Sequence, residues 1–131
     1  MGSACSVPEG LLMRILHVED DADTRTLVAF ILEDEGWEVV CVEKAETAIG
    51  LAAEGGFDLY LLDNWIEGDT ENALCVAIRS LDPDTPILFY SGAVFPLNVE
   101  SALASGAQDY LEKPCTPEAL VEKILRLTRR S

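Results

Sequence analysis

Basic side chains are scarce in this sequence of 131 residues: nine Lys and Arg stand against 24 Asp and Glu, for a net charge of -15. That balance opposes the phosphate contacts on which nucleic-acid binding depends and repels an anionic lipid surface, so neither is expected as a partner of this chain alone. No apolar run approaches the roughly 18 residues of a membrane span, and the start lacks the basic segment and long apolar core of a secretory signal. A cytoplasmic protein is expected. Cysteine is sparse too. Cys5, Cys41, Cys75 and Cys115 form no CxxC pair, which points to reduced structural thiols rather than a zinc site or a disulfide framework. Histidine occurs once, as His17 inside an apolar run, and is expected to be a satisfied, partly buried structural side chain. There is no internal repeat or low-complexity tract. A chain of this length buries about two-thirds of its unfolded surface, enough for one core.

What the chain does have is alternation. Residues 1–12, MGSACSVPEGLL, combine Gly, Ser and Pro and read as a flexible arm; the M-G-x-x-x-S pattern of Gly2 to Ser6 is taken as a chance match to a lipidation motif. Residues 13–131 read as one domain. Ile15 to Val18 is a strand, and Asp23 is placed to cap a helix with Leu27, Val28, Ile31 and Leu32 on its inner face, ended by Gly36. Trp37 to Val42 is a second strand, before a helix through Ala45, Ala48, Ile49 and Ala52 that stops at Gly55-Gly56. FDLYLLD carries the third strand, and Leu74, Ala77, Ile78 and Leu81 line the helix after it. Asp58, at the start of that strand, reads as structural. Pro86 to Tyr90 is a fourth strand, followed by a short helix with Val99, Ala102 and Leu103. Gln108 to Glu112 is a fifth. Thr116 caps the last helix, Pro117 opens it, and Leu120, Val121, Ile124 and Leu125 form its apolar stripe. Short loops between strand and helix make each connection a crossover to a parallel neighbour. The expected fold is α/β, a three-layer αβα sandwich around a five-stranded parallel sheet.

Open parallel sheets bind ligands at the carboxyl ends of their strands. Here those ends carry Glu19-Asp20 after ILHV, Asp63 after LYLL, Ser91 after ILFY and Lys113 after YLE. Three carboxylates on one rim repel one another unless a cation neutralises them, and hard oxygen donors suit Mg²⁺. The Lys113 ammonium and the Ser91 hydroxyl add groups able to neutralise and hydrogen-bond phosphoryl oxygens. Together they read as a phosphoryl-accepting aspartate site.

ILHVEDDADTR with its acidic doublet, FDLYLLD, PILFYSGA and GAQDYLEKP occur in the order and spacing of the receiver domain of two-component response regulators, which the chain resembles over about residues 13 to 130. The resemblance implies the CheY-like, flavodoxin-like strand order 2-1-3-4-5. It implies that Asp63 accepts a phosphoryl group from a sensor histidine kinase or phosphotransfer protein, by self-catalysis rather than as an enzyme acting on a separate substrate. Asp20 and Asp63 would ligate Mg²⁺ directly, with Glu19 acting mostly through water and Trp65 offering its backbone carbonyl. Ser91 would bond the attached phosphoryl group, with Gly92 and Ala93 leaving it room. The Lys113-Pro114 peptide would be cis and Pro114 would line the site. Ser91 and Tyr110 would form the switch. It would alter the face made by the fourth helix, fifth strand and fifth helix, offered to a second copy, a kinase or an effector.

Two positions depart from the family pattern: Glu67 stands where proline is usual and Glu71 where glycine is usual. They make the loop after Asp63 more acidic, and they are the support for the alternative of a pseudo-receiver, an interaction module that is not phosphorylated. Trp65 is expected to shield the acyl phosphate from water. Other functions fail on single residues. A flavin-binding relative of the fold needs a Ser/Thr/Gly-rich loop where EDDADTR stands, a haloacid dehalogenase-type phosphatase needs an aspartate where Trp65 stands, and an EF-hand loop from Asp63 needs Glu where Leu74 stands.

Overall fold

The computed structural model describes residues 13–63, 72–92 and 96–129. In chain order these form β1 (Arg14–Val18), α1 (Ala22–Glu33), β2 (Glu38–Val42), α2 (Ala45–Glu54), β3 (Leu59–Leu62), α3 (Ala73–Leu81), β4 (Ile87–Ser91), α4 (Pro96–Ala104), β5 (Asp109–Glu112) and α5 (Pro117–Thr128). The five strands make one sheet in the order β2-β1-β3-β4-β5, and every pairing is parallel. Fold class and strand order are those expected. Among the described residues no helix is long and apolar enough to cross a membrane.

Because side chains alternate along a strand, each inner strand feeds two cores. Leu16, Val18, Tyr60, Leu62, Ile87 and Phe89 face Ala48 and Ala52 of α2, Leu74, Cys75 and Ile78 of α3, and Ala102 of α4. Ile15, Leu59, Leu61, Leu88 and Tyr90 face Val28 and Leu32 of α1 and Leu120 and Ile124 of α5. Continuous apolar strands are what a sheet covered on both sides demands. Each fully buried Leu or Ile contributes on the order of 2 kcal/mol, so the sheet is a stiff platform for whatever its ends carry.

Local chemistry explains the element ends, with some shifts from expectation. The cap of α1 is Asp21 rather than Asp23: its carboxylate accepts from the Thr24 amide at 2.8 Å and the Thr24 hydroxyl at 2.6 Å. Thr116 caps α5 through its hydroxyl, which accepts from the Ala119 amide at 3.1 Å, with Pro117 following as expected. Asp58 accepts from the Arg14 amide at 2.8 Å, a structural bond at the amino end of the sheet. Helical stripes are narrower than the sequence implies. Leu27, Leu81, Leu103 and Leu125 are exposed, and Cys75 takes an inward position in α3. In α1 and α5 the fully buried pairs are Val28 with Leu32 and Leu120 with Ile124; Ile31 and Val121, roughly 100° round the helix from a buried neighbour, pack against the same core only partly buried. Cys41, Cys75 and Cys115 are free thiols. The N-terminal arm, with Cys5, lies outside the described residues.

Candidate functional site

Backbone ladders run one residue past the strands at the sheet's carboxyl edge and fix the side chains there. The Glu19 amide donates to the Val42 carbonyl at 2.9 Å, the Asp63 amide to the Val18 carbonyl at 3.1 Å, and the Lys113 amide to the Ser91 carbonyl at 3.0 Å. Glu19, Asp63 and Lys113 therefore leave a rigid edge rather than free loops. Leu62 is level with Phe89 across the β3–β4 pair, which sets Asp63 and Ser91 on adjacent strand ends.

The three carboxylates converge. Glu19, Asp20 and Asp63 each offer an oxygen, and these oxygens lie within 4.8 Å of one another. Glu19 and Asp63 are buried, at 1% and 6% exposure, whereas Asp20 faces solvent. Lys113 closes the group: its ammonium donates to Glu19 Oε1 at 2.6 Å and to Asp63 Oδ2 at 3.4 Å, and it lies 5.4 Å from the centre of the Tyr90 ring. Burial, a hydrogen bond with Asp63 and the charge of Asp63 push the Glu19 carboxyl up to about 7, against the opposing pull of Lys113. Without another cation Glu19 is therefore partly protonated near neutral pH. An all-oxygen donor set, two members buried and one open to solvent, fits a hard divalent ion that would take that proton's place.

Ser91 is fully buried at the end of β4. Tyr110 stacks on Phe89, with ring centres 5.7 Å apart and planes 6° from parallel, and its hydroxyl engages the Ser91 side chain. Burial raises the Tyr110 phenol above its ordinary value. Among the described residues, a side chain added at Gly92, next to Ser91, would meet nothing within 4 Å. The Lys113-Pro114 peptide is cis, as the resemblance implies. Trp65, Glu67, Glu71 and Ala93 lie outside the described residues.

His17 departs from expectation. It is 1% exposed rather than partly buried, and among the described residues its Nδ1 has no hydrogen-bond partner. Burial first, then the charges of Lys113 and Arg25, lower it to about 3 although Asp63 pulls the other way, so it is neutral in the folded protein. A histidine that titrates at 6.5 when unfolded and near 3 when folded contributes stability that is present above 6.5 and lost as pH falls toward 3. The metal-free Glu19 shift has the opposite sign, favouring the fold as pH drops from 7 to 4.5. Replacing His17 with Leu should expose this opposition. In EDTA, urea unfolding should give a stability difference, variant minus wild type, that grows by about 2 kcal/mol between pH 8 and pH 5. A difference independent of pH would show that His17 ionises freely in the fold.

Sequence reasoning overlooked Arg25. In the first turn of α1, its guanidinium donates to the Glu19 carbonyl at 2.8 Å and pairs with Glu43 at 3.5 Å. The available signal was a single cation in an otherwise acidic EDDADTR segment.

A family model described as the response regulator receiver domain matches residues 15–125. The phosphate regulon transcriptional regulatory protein PhoB of Escherichia coli is 33% identical over 89% of this chain and 52% of its own length. The chain spans about half the length of that relative. A CheY-like response regulator receiver domain protein from Methanospirillum hungatei superimposes with a TM-score of 0.85 at 30% identity, covering 89% of this chain and 94% of the other. A response regulator from Burkholderia pseudomallei, solved with a phosphorylated aspartic acid, a calcium ion and citrate, gives a TM-score of 0.79 at 25% identity, over 86% of this chain and 66% of that one.

Proposed function

The chain belongs to the response regulator receiver domain family, and from that premise we propose that it accepts a phosphoryl group on Asp63 in the presence of Mg²⁺ and uses the new charge to change a binding face. The observation that carries this is one ammonium, Lys113, held against two buried carboxylates, Glu19 and Asp63, with Asp20 opening the cluster to solvent. The Burkholderia relative with its phosphorylated aspartic acid supports the same chemistry.

In this reading a carboxylate oxygen of Asp63 attacks the phosphorus of a phosphohistidine on a sensor kinase or phosphotransfer protein. A P–O bond forms, the P–N bond breaks, and the freed imidazole takes up a proton. Asp20 and Asp63, with Glu19 behind them, would hold Mg²⁺, which would supply charge neutralisation for the transferring oxygens. Lys113 supplies the fixed positive charge on the protein's side. It is preorganised, because its amide is tied to Ser91 and its ammonium to Glu19. Ser91 then donates to the attached group, and the space beside Gly92 receives it.

The same hydroxyl explains the output. Ser91 and Tyr110 are engaged with each other, so drawing Ser91 toward a phosphoryl group on Asp63 changes what holds Tyr110 against Phe89. Tyr110 lies in β5, between α4 and α5, and the new dianion biases the arrangement of that face. A histidine kinase on one side and a second copy or an effector on the other are the partners proposed. Residues 13–131 form the unit that does this.

Incubation with acetyl phosphate and Mg²⁺ should give a phosphate-sized mass gain that EDTA prevents. No gain with intact Mg²⁺ binding would favour the pseudo-receiver, with Glu67 and Glu71 excluding the anionic donor. Continuous release of phosphate at enzyme-like rates would favour a phosphatase.

A further inference from the structure

Resting on the Mg²⁺-dependent reading of this site, we infer that Arg25 is a positioning residue for cation binding, which holds the Glu19-Asp20 backbone in register with Asp63. A divalent ion is bound well only when its oxygen donors are already close, and Asp20, one residue past the sheet-anchored Glu19, lies in the turn between β1 and α1. The first half of that turn is anchored by the sheet, through the Glu19 amide on Val42. The second half begins at the Glu19 carbonyl, and the oxygen of that carbonyl accepts from the Arg25 guanidinium at 2.8 Å. Holding this oxygen, together with the anchored Glu19 amide, restrains the plane of the Glu19–Asp20 peptide and so where the Asp20 backbone sits beside Asp63.

Arg25 is itself held at both ends. Its amide donates to the Asp21 carbonyl at 3.0 Å within the start of α1, and its guanidinium meets Glu43, in the turn after β2, at 3.5 Å. The side chain is 23% exposed, enough enclosed for the bond to Glu19 to persist. One arginine thereby joins the turns after two adjacent strands at the rim where the acids gather.

Charge and position make opposite demands here, which gives the test its sign. A guanidinium near an acidic cluster repels a second cation, so if Arg25 acted only through its charge, neutralising it would tighten Mg²⁺ binding. If it acts by holding the Glu19-Asp20 turn, neutralising it weakens binding despite the charge.

Calorimetric titration of the whole chain with Mg²⁺ separates these. Arg25→Gln should bind about tenfold more weakly, the scale on which supports behind metal ligands act, and Arg25→Lys, with the charge kept but the forked donor lost, should fall between Gln and wild type. Urea unfolding run in parallel reports any general loss of stability. Unchanged or tighter binding by Arg25→Gln overturns the inference, even if that variant is less stable. Should Arg25→Gln fail to fold, Arg25→Lys decides: several-fold weaker binding supports positioning and wild-type binding overturns it. Absence of Mg²⁺ binding by the wild type would instead overturn the cation reading itself.

Discussion

Asp63→Asn should take up no phosphoryl group from acetyl phosphate and Mg²⁺, and its fold should nevertheless be more stable than the wild type's. The first half follows from chemistry, since an amide oxygen is too weak a nucleophile and carries no charge for a cation. The second follows from Glu19. Asp63 raises the Glu19 carboxyl both by hydrogen bonding and by its charge, so two acids share one buried site with a single ammonium between them. Asparagine has nearly the same shape, removes the like charge, and leaves Glu19 to pair with Lys113 alone. A gain of about 1 kcal/mol at pH 8 in metal-free urea unfolding is expected, the usual direction when a functional site is relieved of repulsion. Mass spectrometry and urea unfolding measure the two halves separately. Persistent phosphate uptake would place the acceptor elsewhere, and a marked loss of stability would return Asp63 to the ordinary role of a strand-end residue capping the next segment.

Lys113→Ala should act on rate and on pH dependence together. Its ammonium is the counter-charge nearest both buried acids, at 2.6 and 3.4 Å. Loss of one preorganised charge of this kind slows a reaction by roughly 10²-fold to 10³-fold, so the acetyl phosphate reaction, followed by mass at saturating Mg²⁺, should slow to that extent. The stability effect depends on pH. Lys113 lowers the Glu19 carboxyl, so without it Glu19 protonates more readily and the fold escapes most of the penalty below pH 7. Above that pH Glu19 must ionise beside the Asp63 charge without its counter-ion, a change worth up to about 3 kcal/mol for a buried charge deprived of its partner. Mg²⁺ binding should become tighter, because a fixed positive charge has left the cation's surroundings. An unchanged rate would remove Lys113 from the reaction, and an unchanged pH profile would mean that water already screens the pair.

Both predictions concern residues that can be read from the chain, and the reason is periodicity. Short strand-like runs, mostly apolar and each closed by Glu19, Asp63, Ser91 or Lys113, are strands whose last residue must emerge at the same edge once the strands are parallel. The apolar helix faces were less legible. Leu27 and Leu125 match the helical period as well as Val28 and Ile124 do, yet only the latter are buried. His17 carries the same lesson at a polar position: sequence placed it in β1 but did not reveal that its Nδ1 would be enclosed without a partner among the described residues.

Element order, parallel pairing and the membership of the acidic rim are encoded locally, in runs of side chains whose spacing repeats every two or every few residues, and sequence alone determined them. The pairing of Lys113 with Glu19 ahead of Asp63, the elevated Glu19 carboxyl, the Ser91–Tyr110 engagement and the grip of Arg25 on the Glu19 carbonyl were decided only by tertiary structure. Those depend on distances between residues as many as 94 positions apart and on how far each is withdrawn from water, and no short stretch of sequence carries either quantity.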